Sequence, residues 1–316
     1  MGRPVLVKRA AEKTSPSQSN SDGGLFFSSP KVNLRFIPSG SVLLDCVLGG
    51  GWPLGRVSNV VGDKSTGKTL TAIEAIANAR RSYPGCVVRY FEAEAAFDND
   101  YAAALGVELQ EGELIGGDTV EDLFADIERT LDALNEDQPA LYIVDSLDSL
   151  SDAAELGRKI TDSTYGGTKP KQIGQLFRRL VRRLEQKSMH LMLVSQIRDN
   201  IGVAFGNKHT RTGGKALDFY ASQIVWLAHV GQIKRVIKGV TRAIGVDIKA
   251  RTSKNKVGLP FRDCQYKILF GYGIDDEESM AKFMKETGGG VPTKENVIKR
   301  WFEIERQFLP KQGKYV

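Results

Sequence analysis

The residues best suited to chemistry form one octapeptide, Gly62-Asp63-Lys64-Ser65-Thr66-Gly67-Lys68-Thr69. It matches the phosphate-binding pattern G-x-x-x-x-G-K-[ST] at every fixed position. The glycines permit a backbone turn that aims successive N–H groups inward. The Lys68 ammonium is expected to reach the β- and γ-phosphates of a nucleotide, and the Thr69 hydroxyl to hold Mg²⁺. The octapeptide is therefore predicted to bind a nucleotide through its phosphates.

The flanking residues supply the elements that such a loop needs. The apolar run Val57 to Val61 predicts a buried strand, and Leu70–Arg81 predicts a helix with Ile73 and Ile76 on its inner side. A helix N-terminus adds positive potential where the phosphates would lie. A chance glycine-rich turn would lack these neighbours, so the sequence favours strand, phosphate-binding loop and helix in that order.

Carboxylates at two other strand ends extend the prediction to hydrolysis. A four-residue apolar run ends in Asp145, which is expected to hold Mg²⁺ through water opposite Thr69. Glu94 follows another predicted strand and is the candidate that activates the attacking water, with Glu92 as the second candidate. The alternative is a surface carboxylate pair without a catalytic role.

A further strand end combines a polar side chain with a long glycine-rich loop. Gln196 ends an apolar predicted strand and is expected to hydrogen-bond the γ-phosphate. The loop that follows, 197–214, contains cations and four glycines, and loops of this length are usually functional or disordered. Its apolar residues Ile201 and Phe205 suit insertion between nucleic-acid bases while cations meet phosphates. We predict that the nucleotide orders or releases this loop through Gln196, the alternative being a disordered surface loop.

The helix predicted over Lys171–Gln186 is strongly basic. Arg178 and Arg182 are four residues apart and therefore share a face. Because the helix lies between the glycine-rich segments 157–168 and 197–214, part of its charge is predicted to follow a nucleic-acid backbone. The alternative is an ordinary solvated face. The cations concerned are Lys171, Arg178, Arg179, Arg182, Arg183 and Lys187.

The order of elements predicts an α/β fold with a mostly parallel central sheet and helices on both faces. The later strands follow one another directly, which predicts an antiparallel extension of the sheet. The predicted strands are Val57–Val61, Cys86–Phe91, Leu141–Asp145, His190–Ser195, Ser222–Leu227, Val246–Arg251 and Tyr266–Leu269. The predicted helices are Leu70–Arg81, Asn99–Leu105, Val120–Leu134 and Lys171–Gln186.

Composition excludes several classes of protein. The 316 residues, 41% hydrophobic and 26% charged, suit one large domain or a core with small appendages. No apolar run approaches the ~20 residues that cross a bilayer, and no secretory signal is visible. A net charge of +6 mildly favours an anionic partner. Cys46, Cys86 and Cys264 lack metal-ligand spacing and are expected to be small buried residues in a reducing cytoplasm.

Three regions are predicted along the chain. Residues 1–32 form a flexible basic arm, in which Leu25-Phe26-Phe27 is either a local anchor or a strand that docks on a neighbouring subunit. Residues 33–274 form the core, and residues 275–316 form a short helical region. The apolar stripe of that region, expected to pack on the core, is Val297, Trp301, Ile304 and Phe308.

Several short stretches match the motifs of one family. They are Pro38–Ser41, Leu43–Asp45, Leu48–Gly51, Gly55-Arg56, Gly62–Thr69, Glu92–Asp98, Val144–Ser146, Gln196–Arg198, Ile201–Val203, Phe205–Asn207, Thr212–Gly214 and Lys254–Lys256. Together they resemble the RecA-type recombinases over roughly residues 35–273. The resemblance implies a RecA-like P-loop NTPase core. It also implies a DNA-dependent ATPase that assembles as a filament on single-stranded DNA and promotes pairing and strand exchange with a homologous duplex.

The resemblance also implies roles for individual residues. ATP and Mg²⁺ would be bound by Gly62–Thr69 and Asp145, with Asp98 and Tyr101 at the adenine. Lys254 and Lys256 would reach the ATP of the adjacent subunit. The residues implied in catalysis are Glu94, Lys68, Gln196, Lys254 and Lys256. The residues implied in DNA binding are Lys171, Arg178, Arg198, Ile201, Phe205, Gly213 and Gly214.

Three departures from the family pattern leave the assembly open. A polar arm replaces an N-terminal helix, the C-terminal region is short and ends basic, and Asp218 stands where a basic residue is expected. A core with reduced ends is similar to phage-encoded recombinases. Two alternatives therefore remain, a ring-forming DNA motor or repair ATPase and a non-catalytic recombination mediator. Single-strand-binding or loader proteins are candidate partners, in the cytoplasm of a bacterium or of an infected host cell.

Overall fold

The structure, a computed structural model, describes residues 34–94, 97–153, 168–199, 209–210 and 214–309. Within these residues, nine strands form one sheet. From edge to edge its strands are β13 (Gly273–Asp275), β12 (Asp263–Leu269), β11 (Val240–Asn255), β10 (Gln223–Ile237), β3 (Val57–Gly62), β7 (Met189–Gln196), β6 (Ala140–Asp145), β4 (Val87–Glu92) and β5 (Leu114–Gly116). Two short ladders pair β1 (Phe36–Ile37) with β2 (Trp52–Pro53), and β8 (Arg198–Asp199) with β9 (His209–Thr210).

The sheet is parallel from β10 to β5, and β11, β12 and β13 extend it in antiparallel fashion. The helices are α1 (Val42–Leu48), α2 (Lys68–Ser82), α3 (Asn99–Ala104), α4 (Val120–Ala133), α5 (Thr168–Gln186), α6 (Gly214–Tyr220), α7 (Asp276–Glu286) and α8 (Lys294–Phe308). One apolar cluster lies between the sheet and α1, α2, α7 and α8, and a second lies between the sheet and α4, α5 and α6. The predicted α/β class, with helices on both faces, is confirmed. None of the described helices is long and apolar enough to span a bilayer.

Burial explains which strands the sequence could reveal. A parallel strand covered on both faces reads as a continuous apolar run, and every residue of β3 is buried. Such a strand can therefore be predicted from the sequence.

Short elements have weaker sequence patterns. Helix α1 has seven residues; it begins after Ser41, whose hydroxyl accepts from Leu44 N at 3.4 Å, and ends at Gly49 with φ 85°. It was not predicted, because two turns carry too little periodicity.

Strands β10 and β11 continue far beyond their predicted ends. Beyond the rest of the sheet they form a two-stranded ribbon over 234–243, closed by Lys238 and Gly239. Both closing residues have positive φ, 49° and 78°, as a two-residue hairpin turn requires. The ribbon projects from the carboxyl edge of the parallel strands, because β10 runs parallel to β3. Its four cations, all exposed, are Lys234, Arg235, Lys238 and Arg242.

The C-terminal helices pack on the first apolar cluster through part of the predicted stripe. Val297 is fully buried, and the Trp301 ring lies 6.0 Å from that of Phe283. Phe308, in contrast, is 73% exposed, so the prediction was wrong for the end of the stripe. The physical reason is that α8 extends past the surface that Val297 and Trp301 cover.

A buried histidine on β7 makes the stability of the fold depend on pH. His190 is fully buried and its Nδ1 lies 2.7 Å from Pro53 O; among the described residues Nε2 has no hydrogen-bond partner. Burial lowers the pKa of His190 from 6.5 to about 4. As the pH falls, the unfolded chain takes up this proton before the folded one. Stabilisation present above pH 6.5 is therefore lost towards pH 4, by about 3 kcal/mol.

Denaturant unfolding of His190→Gln at pH 7 and at pH 4 measures that loss. Glutamine does not titrate, so the variant is expected to gain about 3 kcal/mol of unfolding free energy relative to the wild type between these two pH values. His229→Gln, at an exposed position, is the matched control and should show no such gain. The same pH dependence in His190→Gln and the wild type would contradict the prediction.

Candidate nucleotide and DNA site

Four parallel strands end side by side at one edge of the sheet. The register pairs Gly62 of β3 with Gln196 of β7, and Glu92 of β4 with Asp145 of β6. In open α/β sheets the carboxyl ends of the strands form the ligand-binding edge. The structure thus brings together the phosphate-binding loop and the polar strand ends that the sequence singled out.

The phosphate-binding loop has the backbone that its glycines predict. Gly67 precedes α2 with φ 81°, in the left-handed region. A side chain at Gly62 would collide with Thr66 Oγ1. Lys68 Nζ donates to Asp63 O at 2.7 Å, so the lysine folds over the loop. The loop therefore has an inward-turned backbone that only glycine permits at two positions.

Asp145 lies beside the loop and accepts two hydroxyl hydrogen bonds. Thr69 Oγ1 donates to Asp145 Oδ2 at 2.8 Å, and Tyr90 OH donates to the same oxygen at 2.7 Å. Burial raises the pKa of Asp145, and these two hydrogen bonds oppose the rise. Burial lowers the pKa of Lys68, and the charges of Asp145 and Glu94 oppose that change. A hydroxyl and a carboxylate are hard oxygen donors that fit Mg²⁺, and Thr69 and Asp145 are the residues that would hold it.

Glu94 is the centre of a hydrogen-bond network. Its Oε1 accepts from Ser146 Oγ, from Ser149 Oγ at 3.1 Å and from Gln196 Nε2 at 3.0 Å. Glu92 lies behind it, and its Oε1 accepts from Glu94 N at 3.2 Å. The network favours Glu94 over Glu92 as the water-activating residue and links it directly to Gln196.

Some residues of the network were missed by the sequence analysis. Ser146 and Ser149 contact Glu94, and Asp148 Oδ2 accepts from Gln196 N at 2.8 Å. A signal existed, because these polar residues directly follow the strand that ends in Asp145. Tyr90 had no such signal, since a tyrosine within an apolar strand is typical of a core residue.

The two residues implied at the adenine lie at the start of α3. Asp98 is the N-cap of this helix, and its Oδ1 accepts from Tyr101 N at 2.9 Å. Tyr101 packs against the first apolar cluster, and burial raises the pKa of its phenol. Asp98 therefore already has a structural role, and the adenine contact stays a prediction.

The two lysines implied at the adjacent subunit lie towards the other end of the strands, away from the carboxyl ends that carry the phosphate-binding loop. Lys254 pairs with Ile224 on β10, whereas Ala250, four residues earlier, pairs with Leu227 next to Gly62. Four strand residues correspond to about 13 Å. Lys254 Nζ donates to the carbonyl groups of Asp218 and Phe219 at the end of α6, and Lys256 Nζ donates to Phe219 O at 3.4 Å. Both lysines thus project away from the phosphate-binding loop of their own chain.

The cations predicted to follow a nucleic-acid backbone lie on α5 or, in the case of Lys187, directly after it, and they differ in their contacts. The set that contacts α4 or its C-terminal end is Arg179, Arg183 and Lys187. Among the side chains that the structure describes here, the exposed cations are Lys171, Arg178, Arg179 and Arg182. Contact of these exposed cations with a nucleic-acid backbone stays a prediction.

The remaining DNA-binding predictions fall largely outside the described residues. Ile201, Phe205 and Gly213 lie there, as does the segment 154–167. Arg198 is described by its backbone, which pairs with Thr210 in the β8–β9 ladder, and Gly214 begins α6. The long loop after Gln196 therefore has a short ladder at its base.

Comparison with known proteins decides the family. A family model described as the RecA N-terminal domain matches residues 24–275. The chain belongs to the RecA family. It is 34% identical over 286 residues to Protein RecA of Paenarthrobacter aurescens (strain TC1), covering 88% of this chain and 80% of that protein. It is 33% identical over 287 residues to Protein RecA of Mycobacterium ulcerans (strain Agy99), covering 89% and 80%. Protein RecA of Mycobacterium sp. (strain KMS) is 33% identical over 292 residues, covering 90% and 81%.

Membership of the RecA family confirms the predicted activity. The chain is a DNA-dependent ATPase that acts in homologous recombination, binds single-stranded DNA and promotes strand exchange. The family also implies a nucleotide cofactor and filament formation. The ring-forming motor and the non-catalytic mediator are not favoured. The relatives named here are bacterial, so a phage origin stays a prediction.

Proposed function

We propose that this RecA-family chain couples ATP hydrolysis to DNA binding through the contact between Glu94 and Gln196. The observation that carries the proposal is the 3.0 Å hydrogen bond from Gln196 Nε2 to Glu94 Oε1. One partner is the proposed base for hydrolysis. The other is the last residue of β7, immediately before the proposed DNA-binding loop.

Nucleotide binding would use groups that are already in place. The loop N–H groups and Lys68 bind the β- and γ-phosphates, and Asp98 and Tyr101 lie at the adenine. Thr69 and Asp145 hold Mg²⁺, which when bound neutralises charge on the phosphates. The 2.8 Å hydrogen bond between Thr69 and Asp145 supports this assignment, because it places both ligands on one side of the loop.

Hydrolysis would begin when Gln196 changes partner. As the Gln196 amide donates to the γ-phosphate, it leaves Glu94, whose carboxylate then accepts a proton from the attacking water. Ser146 and Ser149 keep that carboxylate in position. Loss of the γ-phosphate returns Gln196 to Glu94. Each exchange moves the start of the DNA-binding loop, so nucleotide state controls its order.

DNA and the adjacent subunit would complete the assembly. Lys254 and Lys256 reach the γ-phosphate bound by the neighbouring subunit, in keeping with their place far from their own loop. The residues that contact DNA are Lys171, Arg178, Arg198, Ile201, Phe205, Gly213 and Gly214. Single-strand-binding or loader proteins assist assembly in the cytoplasm of a bacterium or of an infected host cell.

Electron microscopy with single-stranded DNA and a slowly hydrolysed ATP analogue tests the proposed function. Wild-type protein is expected to form helical filaments, and Lys68→Ala is expected to lose both filaments and hydrolysis because its phosphate contact is gone. Lys285→Ala removes the same charge from an exposed position on α7 and should behave as the wild type. Closed rings would favour a motor, and an absence of DNA-stimulated hydrolysis in the wild type would favour a mediator. Unchanged hydrolysis in Lys68→Ala would refute the site assignment.

A further inference from the structure

A tyrosine hydroxyl reaches from the core into the phosphate site. Tyr90 lies on β4, is 1% exposed, and its OH donates to Asp145 Oδ2 at 2.7 Å. Its backbone is paired on both sides, with Ile143 of β6 and with Leu114 of β5. The hydroxyl therefore holds a fixed place relative to the strand that carries Asp145.

The Tyr90 ring is held from a further direction by the segment that leads to α3. Its centroid lies 4.6 Å from that of Phe97, with an angle of 57° between the planes. Tilted aromatic pairs at this spacing are attractive. Because Phe97 directly precedes Asp98, Tyr90 joins the Asp145 carboxylate to the segment proposed to meet the adenine.

Thr69 and Tyr90 donate to the same carboxylate oxygen but differ in what else they do. Thr69 is itself a proposed ligand, so its oxygen must also face the metal. Tyr90 is proposed for no other task and can hold Asp145 with or without nucleotide. The terminal torsion of an aspartate is broad and weakly restricted. Two donors on Oδ2 therefore define how the Asp145 carboxylate faces the loop.

We propose that Tyr90 is a positioning residue for Mg²⁺, orienting the Asp145 carboxylate through its hydroxyl. The inference rests on the proposed metal role of Thr69 and Asp145. Residues that hydrogen-bond a metal-ligating carboxylate commonly change metal affinity by about 10–100-fold when they are replaced. Tyr90 thus sets the Mg²⁺ requirement of nucleotide binding without touching nucleotide or metal.

Tyr142 provides a matched control for Tyr90, because its hydroxyl makes the same kind of hydrogen bond away from the proposed metal site. Tyr142 is fully buried on the neighbouring strand β6, and its OH donates to Asp126 Oδ2 at 2.8 Å. It belongs to the other apolar cluster, and Asp126 pairs with Arg89 rather than facing the phosphate-binding loop. Tyr142→Phe therefore removes the same atom from the same kind of hydrogen bond, away from the proposed metal site.

Titration of Mg²⁺ against binding of a fluorescent, slowly hydrolysed ATP analogue to the full chain tests the inference. In Tyr90→Phe the Mg²⁺ concentration for half-maximal binding is expected to rise about tenfold or more. Binding of the analogue in EDTA should stay at the wild-type level. Tyr142→Phe should keep the wild-type Mg²⁺ midpoint, although both variants lower the thermal midpoint of the ligand-free protein.

Three results would overturn the role of Tyr90. They are an unchanged Mg²⁺ midpoint in Tyr90→Phe, equal shifts in both variants, and equally weakened binding in EDTA, which would indicate a general loss of structure. If the wild type bound the analogue without any dependence on Mg²⁺, the metal role of Thr69 and Asp145 would fail as well. The failure of this inference and that of the proposed function are thus distinguishable.

Discussion

Replacing Glu94 with glutamine is expected to slow ATP hydrolysis by about 10²–10⁴-fold while leaving ATP binding intact. The glutamine keeps an oxygen that can accept from Ser146, Ser149 and Gln196, so the network around it survives. Only the proton acceptor is lost. Filaments on single-stranded DNA should therefore persist in ATP for longer than those of the wild type.

Steady-state hydrolysis, nucleotide binding and filament lifetime together check this expectation. Glu92→Gln is the matched control, since it makes the same change two residues away, behind Glu94. It should retain most of the hydrolysis rate. A large loss in Glu92→Gln together with normal hydrolysis in Glu94→Gln would show that the two roles are reversed.

An equal mixture of two inactive variants on single-stranded DNA is expected to recover part of the hydrolysis. Lys68→Ala disables the phosphate-binding loop, and the double variant Lys254→Ala/Lys256→Ala disables the face proposed to complete the neighbouring site. Each variant alone should be inactive. In a random equal mixture of head-to-tail subunits, about one quarter of the interfaces join an intact loop to intact lysines. DNA-stimulated hydrolysis of the mixture should approach that fraction of the wild-type rate.

The control mixture combines Lys68→Ala with Glu94→Gln. Both defects lie on the same side of the proposed interface, so every mixed site contains one of them and no recovery is expected. If the lysine mixture also stayed inactive, Lys254 and Lys256 would act within their own chain or only in packing. Their hydrogen bonds to the end of α6 would then be their main role.

The central elements could be predicted because their signals are local or come from burial on both faces. The phosphate-binding loop needs glycine where a side chain would collide, as at Gly62. Strands β6 and β7 are buried along nearly their whole length and are mostly apolar, because helices cover both faces of the sheet. Asp145 and Gln196 stood out because each is a polar residue that ends such a strand.

Other features depend on partners distant in sequence. Nothing in the local sequence distinguishes Arg179, whose guanidinium lies over the Phe124 ring, from its neighbour Arg178. The ribbon of β10 and β11 was missed because neither of its faces is buried, so no alternation marks it. A Tyr90 hydroxyl aimed at Asp145 looks, in sequence, like any core tyrosine.

The sequence by itself determined the phosphate-binding octapeptide, the carboxylates and amide at the strand ends, and the family to which they belong. These features can be recognised in the sequence because each depends on the type of residue at its position and not on contacts with distant residues. The tertiary structure alone decided which carboxylate is linked to Gln196 and which basic side chains contact α4. It also placed Lys254 and Lys256 towards the other end of the strands from their own loop. Those properties depend on strand register and helix packing, which arise from contacts between residues far apart in the chain.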